Sequence, residues 1–335
     1  MTQLLLAAAF IAGCSASPVE EGAQGVTTQA SQAPPAKIIA LSGGSGWTEI
    51  PVATSNDDGS FTVTSNLVAN FPSYAQQQGA TLLPGDFNND GKPDLALTGG
   101  FTSPGVPWGS VPVALGTGPG TFSQTNAPIL NNFATYATQS GAKAITGDFN
   151  GDHRTDIALT GGFSSPGVPW GSVPVALANP GGTTFTVSNL PVPNNFGTYA
   201  TQSGAKPVSG DFNGDGRGDI ALTGGFQSPG VPWGSVPVAF ANAGGTTFSV
   251  QNDPVPDSFG TFATQGGAKP VAGDFNHDGR SDIALTGGSS SPGVPWGSLP
   301  VAFSNGNGTF TVKNKPILNF GTWSALPNVQ AVGTL

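Results

Sequence analysis

One feature constrains this chain more than any other: a long internal repeat. The stretch GDFNNDGKPDLALTGG beginning at Gly85 returns at Gly147, Gly210 and Gly273, at spacings of 62, 63 and 63 residues. A unit of that length, filled with short apolar runs, reads as a propeller blade or a rung of a sheet solenoid. The copy around Gly210 divides into four strand-like pieces, AKPVSGDF, DIALTGG, WGSVPVAF and TTFSVQN, separated by turns rich in Gly, Pro and Asn. The 51 glycines and 30 prolines among 335 residues leave room for short strands and many turns, not for helices. A hydrophobic share of 37% with 21 Phe supplies a core.

The second piece occurs five times, as Ile39-Ala40-Leu41, Leu95-Ala96-Leu97, Ile157-Ala158-Leu159, Ile220-Ala221-Leu222 and Ile283-Ala284-Leu285. The fold expected is therefore all-β, a five-bladed β-propeller of four-stranded blades over residues 37–335. Nothing before Lys37 resembles AKPVSGDF, whereas the C-terminal NFGTWSALPNVQAVGTL imitates NFGTYATQSGAKPVSGDF, placing Gly333 where Gly210 stands and Leu335 where Phe212 stands. The C-terminal strand is thus expected to complete the first blade and close the ring, leaving no open sheet edge. The competing arrangement is a partial propeller completed by a partner chain.

Each repeat carries a loop between its first and second strands of the form Asp-x-Asn-x-Asp-Gly-x-x-Asp or close to it. The four sets are Asp86, Asn88, Asp90, Asp94; Asp148, Asn150, Asp152, Asp156; Asp211, Asn213, Asp215, Asp219; and Asp274, Asn276, Asp278, Asp282. Oxygen ligands at alternate positions, a Gly for the sharp turn and a closing carboxylate are what a hard cation of calcium size needs. Asp, Asn and Gly also form ordinary turns, but three carboxylates crowded in each of four copies would repel one another without a cation. About four Ca2+ sites are expected, offsetting most of a formal charge of −9. The second loop has His153 where the others have Gly91, Gly216 and Gly279, which suggests a distorted or weaker site. His277 sits at a variable position and is expected to be solvated. Phe87, Phe149, Phe212 and Phe275, inside these loops, are expected in the core.

The chain opens with MTQLLLAAAFIAGC, an apolar run too short to span a bilayer. Ile11-Ala12-Gly13-Cys14 resembles the lipobox of bacterial lipoproteins. That resemblance implies a signal peptide over 1–13, lipidation of Cys14 and a flexible tether over 14–36, with the protein held at the bacterial envelope by its lipid alone. Ser15 would then imply the outer membrane. An ordinary signal peptide and a buried free thiol are the alternatives for Cys14, which is the sole cysteine and has no disulfide partner.

The GDFNGDGRGDIAL pattern resembles the FG-GAP or VCBS-type repeats of integrin-like propellers. The longer NFGTYATQSGAKPVSGDFNGDGRGDIALTGG is similar to repeats of propeller lectins of the Psathyrella velutina type, from which the chain departs in its five units and its Ser-Pro-Gly-Val-Pro insertion. The resemblance implies a calcium-stabilised binding module whose partners are glycans or cell-surface proteins. Strand connectivity puts the calcium loops at one end of each blade. The other end collects the second-to-third loop, with Trp108, Trp170, Trp233, Trp296 and, on a shorter loop, Trp47, and the blade-to-blade loop, with Tyr74, Tyr136, Tyr199, Phe262 and Trp323. Gln77, Gln139, Gln202 and Gln265 lie beside them. Aromatic platforms with neighbouring amides hold sugar rings, while a Trp repeated in every blade is equally the wedge that fills space between sheets.

Nucleic acid is excluded as a partner, because the ten Lys and Arg are scattered. Catalysis is not expected either. Outside the loops and the tether the acids are Glu49, Asp57, Asp58, Asp253 and Asp257, and both histidines sit inside loops. Asp253 and Asp257 are the one conceivable carboxylate pair, and a turn role suits them better.

Overall fold

The computed structural model describes residues 9–10, 38–40, 46–56, 60–130, 132–193, 195–291, 294–317 and 319–325. Cys14, the tether, Asp57, Asp58 and the C-terminal segment through Gly333 and Leu335 lie outside the described residues. No helix among the described residues is long and apolar enough to cross a membrane.

The architecture is an all-β propeller of antiparallel four-stranded blades. Blade A pairs Thr81–Gly85, Asp94–Thr98, Ser110–Gly118 and Thr121–Pro128 in that spatial order. Blade B pairs Lys143–Gly147, Asp156–Thr160, Ser172–Ala178 and Phe185–Pro191. Blade C uses Lys206–Gly210, Asp219–Thr223, Ser235–Ala241 and Phe248–Pro254. Blade D uses Lys269–Gly273, Asp282–Thr286, Ser298–Ser304 and Phe310–Pro316. The first strands of the four blades lie side by side and so line the inside of the array.

The structure corrects the expected five-bladed ring closed by the C-terminal strand: the described residues form four such blades, not five. A further sheet precedes blade A, built from Ala9–Phe10, Ile38–Ala40, Glu49–Ser55 and Phe61–Leu67. Its first position is held by Ala9–Phe10, with Ala9 opposite Ala40 and Phe10 opposite Ile39. Its sequence carries neither the Asp-x-Asn-x-Asp loop nor the Ser-Pro-Gly-Val-Pro-Trp segment that define the repeat. The motif Ile39-Ala40-Leu41 copies the sequence of a second strand, but no Asp-x-Asn-x-Asp sequence stands before it as it does in the four repeats.

In every blade the second strand, Asp-Ile/Leu-Ala-Leu-Thr, is buried at all five positions because both faces are covered by neighbouring sheets. That is why it is continuously apolar rather than alternating. Apolar clusters join sheet to sheet, uniting for example Phe149, Val175 and Phe196 of blade B with Ile220, Leu222 and Val250 of blade C. The blade-to-blade connections, expected to be loops, contain one-turn helices at Phe71–Ala75, Phe133–Ala137, Phe196–Thr201, Phe259–Thr264 and Phe320–Ser324. The chain enters most of them through a left-handed residue, such as Asn132 at φ 61° or Asn195 at φ 59°, a conformation Asn tolerates.

Candidate functional site

At one end of each blade the acidic loop is folded around its own backbone. In blade A, Asp86 Oδ1 and Asn88 Oδ1 both accept from the Asp90 amide, at 3.1 and 3.0 Å, and Asp86 Oδ2 accepts from Gly91 at 2.9 Å. Blades B, C and D repeat the pattern. Asp148 Oδ1 accepts from Asp152 and Asp148 Oδ2 from His153, Asp211 serves Asp215 and Gly216, and Asp274 serves Asp278 and Gly279. His153 takes the left-handed backbone of the glycines it replaces, at φ 65°, and keeps the same bond, so the second loop is not distorted. His277 is exposed, as expected.

The last carboxylate of each loop behaves differently. Asp94, Asp156, Asp219 and Asp282 are fully buried. Each ties the loop to the third strand through two backbone amides: Phe87 and Gly116 for Asp94, Phe149 and Ala178 for Asp156, Phe212 and Ala241 for Asp219, Phe275 and Ser304 for Asp282, at 2.7 to 3.0 Å. Burial, reinforced by the two other loop carboxylates and opposed by those amides, pushes Asp94 up to about 7 and Asp156 and Asp219 up to about 8. Asp282 is raised for the same reasons.

Sequence reasoning missed a basic residue at one loop position in all four copies. Lys92 Nζ meets Asp90 at 2.8 Å, Arg280 meets Asp278 at 2.6 Å, and Arg154 and Arg217 pair with Asp152 and Asp215. The three arginines also donate Nε to the third-strand carbonyls of Ala178, Ala241 and Ser304. Its signal was present: Lys92, Arg154, Arg217 and Arg280 are four of only ten cationic side chains. Among the described residues no three acidic, His or Cys side chains converge as a metal-binding group. The candidate ligands themselves suit calcium in kind, since the three Asp and one Asn of each loop offer only oxygens, at the alternate positions a hard cation takes.

At the opposite end, the Ser-Pro-Gly-Val-Pro insertion forms a small hairpin on each blade, pairing Phe101–Ser103 with Val106–Pro107, Phe163–Ser165 with Val168–Pro169, Phe226–Ser228 with Val231–Pro232 and Ser289–Ser291 with Val294–Pro295. Behind it, Trp108, Trp170, Trp233 and Trp296 are buried, no more than 6% exposed. Each meets an aromatic ring edge to face at 5.4 to 5.6 Å: Tyr74, Tyr136, Tyr199 and Phe262 respectively. Each indole N–H donates to an amide oxygen, of Gln77 at 2.7 Å, Gln139 at 3.0 Å, Gln202 at 2.5 Å and Gln265. The Trp and Gln residues grouped as sugar contacts therefore do come together, but as wedges between sheets with their polar atoms paired to each other. Tyr74, Tyr136 and Tyr199 are half-buried and their hydroxyls accept from Asn126, Asn189 and Asn252.

What this end exposes is the hairpin itself. Val106, Val168, Val231 and Val294 stand at about half exposure. A groove of about 400 Å³ runs between hairpin and helical turn in blade B, lined by Gln139, Ser140, Phe163, Ser165, Pro166 and Gly167. Blade C repeats it at about 430 Å³ with Gln202, Ser203, Phe226, Gln227, Ser228, Pro229 and Gly230. Trp47 is half-buried and lines a third groove, with Thr48, Leu67, Asn70 and Pro72. Phe163 and Phe226 were not among the expected contacts.

Residues 86–159 match the FG-GAP-like repeat family, a span covering the acidic loops of blades A and B. No curated protein matches the sequence. Among solved structures, a glycoside hydrolase family 43 arabinoxylan arabinofuranohydrolase from Bacillus subtilis, in complex with cellotetraose, is similar at 14% identity and a TM-score of 0.43. The alignment covers 94% of this chain and 66% of that one, so the chain spans slightly under two thirds of its length.

Proposed function

We propose that the chain is a calcium-stabilised binding module, lectin-like or adhesive, that engages glycans through the hairpin grooves. The observation that carries this reading is the repeated groove of blades B and C, in which the same glutamine, serine, phenylalanine and proline return on equivalent blades. An apolar floor with a few fixed polar groups suits a sugar ring, and equivalent weak sites on one rigid array gain avidity on a multivalent surface. Calcium, held by the four acidic loops, stabilises the opposite end and takes no part in chemistry. The Cys14 anchor, if processed as its lipobox resemblance implies, presents the module at the bacterial envelope, and that processing takes Ala9–Phe10 out of the N-terminal sheet.

A catalytic reading has little to work with. Outside the acidic loops the acids among the described residues are Glu49, Asp253 and Asp257, and Glu49 accepts a hydrogen bond from Ser65 at 2.6 Å. The test is a glycan-array screen of the full chain in calcium and in EDTA, repeated with Phe163→Ala/Phe226→Ala. Selective binding lost in the double variant at unchanged melting temperature supports the reading. A blank array from folded, calcium-loaded protein overturns it in favour of a protein-binding scaffold, which the exposed valines of the hairpins would serve.

A further inference from the structure

The blades are joined by one recurring contact. The loop phenylalanine of each blade meets the phenylalanine that opens the fourth strand of the next: Phe87 with Phe185, Phe149 with Phe248, Phe212 with Phe310, edge to face at 6.1 to 6.3 Å. All six rings are buried, as are Val187, Val250 and Val312, two residues further along the same fourth strands. A backbone bond accompanies each ring pair, from Thr155, Gly218 and Ser281 to the carbonyls of Asp86, Asp148 and Asp211, at 2.8, 2.6 and 2.6 Å.

The two ends of the array carry the unmatched halves of this contact. Phe275, the loop phenylalanine of blade D, is 43% exposed, although its three counterparts are fully buried. In the sheet that precedes blade A, the fourth strand begins Phe61-Thr62-Val63, as Phe185-Thr186-Val187 does, yet Phe61 is 47% and Val63 72% exposed. Chance surface placement does not explain a Phe-x-Val pair in the register that is buried in three blades. Blade A also marks the start of the array in its loop: Pro93 stands where Thr155, Gly218 and Ser281 donate, and proline has no N–H to give to a preceding loop.

We propose that the chain associates head to tail, the Phe61/Val63 face of one copy seating on Phe275 of a second copy. Both halves stand open in the same molecule, at opposite ends of the array, so a second copy is the occupant that supplies each with its match. The contact joins unlike surfaces and therefore leaves a free half at each end of a dimer, allowing further copies to add. It stands apart from whatever ligand the hairpins take.

The test is light scattering after size exclusion on the full chain carrying Cys14→Ser, across concentrations up to roughly 100 μM. Mass rising above the monomer with concentration is expected, with Phe61→Asp and Phe275→Asp each weakening association about tenfold or more at unchanged melting temperature. An equimolar mixture of those two variants should form dimers and nothing longer, since it retains a single competent contact. A short bismaleimide should couple a Phe61→Cys chain to a Phe275→Cys chain. A wild-type protein monomeric at every concentration overturns the proposal. So does a Phe61→Cys/Phe275→Cys chain that cross-links only within itself, which would make the contact intramolecular.

Discussion

The buried closing carboxylates make the calcium reading testable through pH. Free aspartate titrates near 4, whereas Asp156 and Asp219 are held up to about 8 and Asp94 to about 7 in the calcium-free fold. Between those values the native state keeps a proton that the unfolded chain has lost, so stability in EDTA falls as pH rises, by up to about 1.4 kcal/mol per pH unit for each such group. Even one group acting fully would cost about 3 kcal/mol from pH 5 to pH 7, a drop of several degrees in melting temperature. A cation in the loop reverses this. It favours the ionised carboxylates and displaces their protons on binding, so the stabilisation by calcium grows as pH rises. The assay is thermal unfolding followed by circular dichroism at pH 5, 6, 7 and 8, in calcium and in EDTA. The gap between the two melting temperatures should be small at pH 5 and widest at pH 8. A gap that is absent, or widest at pH 5, refutes the reasoning.

Trp170→Ala should cost about 3–5 kcal/mol, seen in chemical denaturation, because it empties a buried wedge and strips Gln139 of its donor; a loss below about 1 kcal/mol would mean the ring is not a wedge. Gly225→Ala should cost about 1–3 kcal/mol, since its new methyl would lie 2.1 Å from Cζ2 of Trp233; an unchanged denaturation midpoint would contradict the packing. Asp219→Ala should destabilise by several kcal/mol even in calcium, by orphaning the amides of Phe212 and Ala241, whereas exposed Asp215→Ala should lower calcium affinity by calorimetry with a smaller loss of stability.

The acidic loops and the order of the strands could be read from the sequence because each rests on local chemistry repeated four times. The role of the tryptophans could not, because a wedge and a sugar platform ask for the same residue at the same period. What separates them lies elsewhere in the repeat: the second glycine of each Leu-Thr-Gly-Gly, at Gly100, Gly162, Gly225 and Gly288, leaves the space that the indole ring fills. Gly-Gly paired with a Trp eight residues on is thus a packing signal, and it would have sent the search for ligand contacts outward to Phe163 and Phe226. Blade number failed for a related reason. Ile39-Ala40-Leu41 has the composition of a buried second strand, and composition reports burial, not the identity of the strand alongside. A blade in this array carries the acidic loop and its phenylalanine, and in blades B, C and D a backbone donor offered back to the blade before. The sequence before Gly85 holds no copy of that loop, and Pro93 withholds the donor that a loop before it would need. Counting joints rather than strands finds three, which link four blades, and it picks out Phe61 and Phe275 as the halves of that pattern left exposed among the described residues.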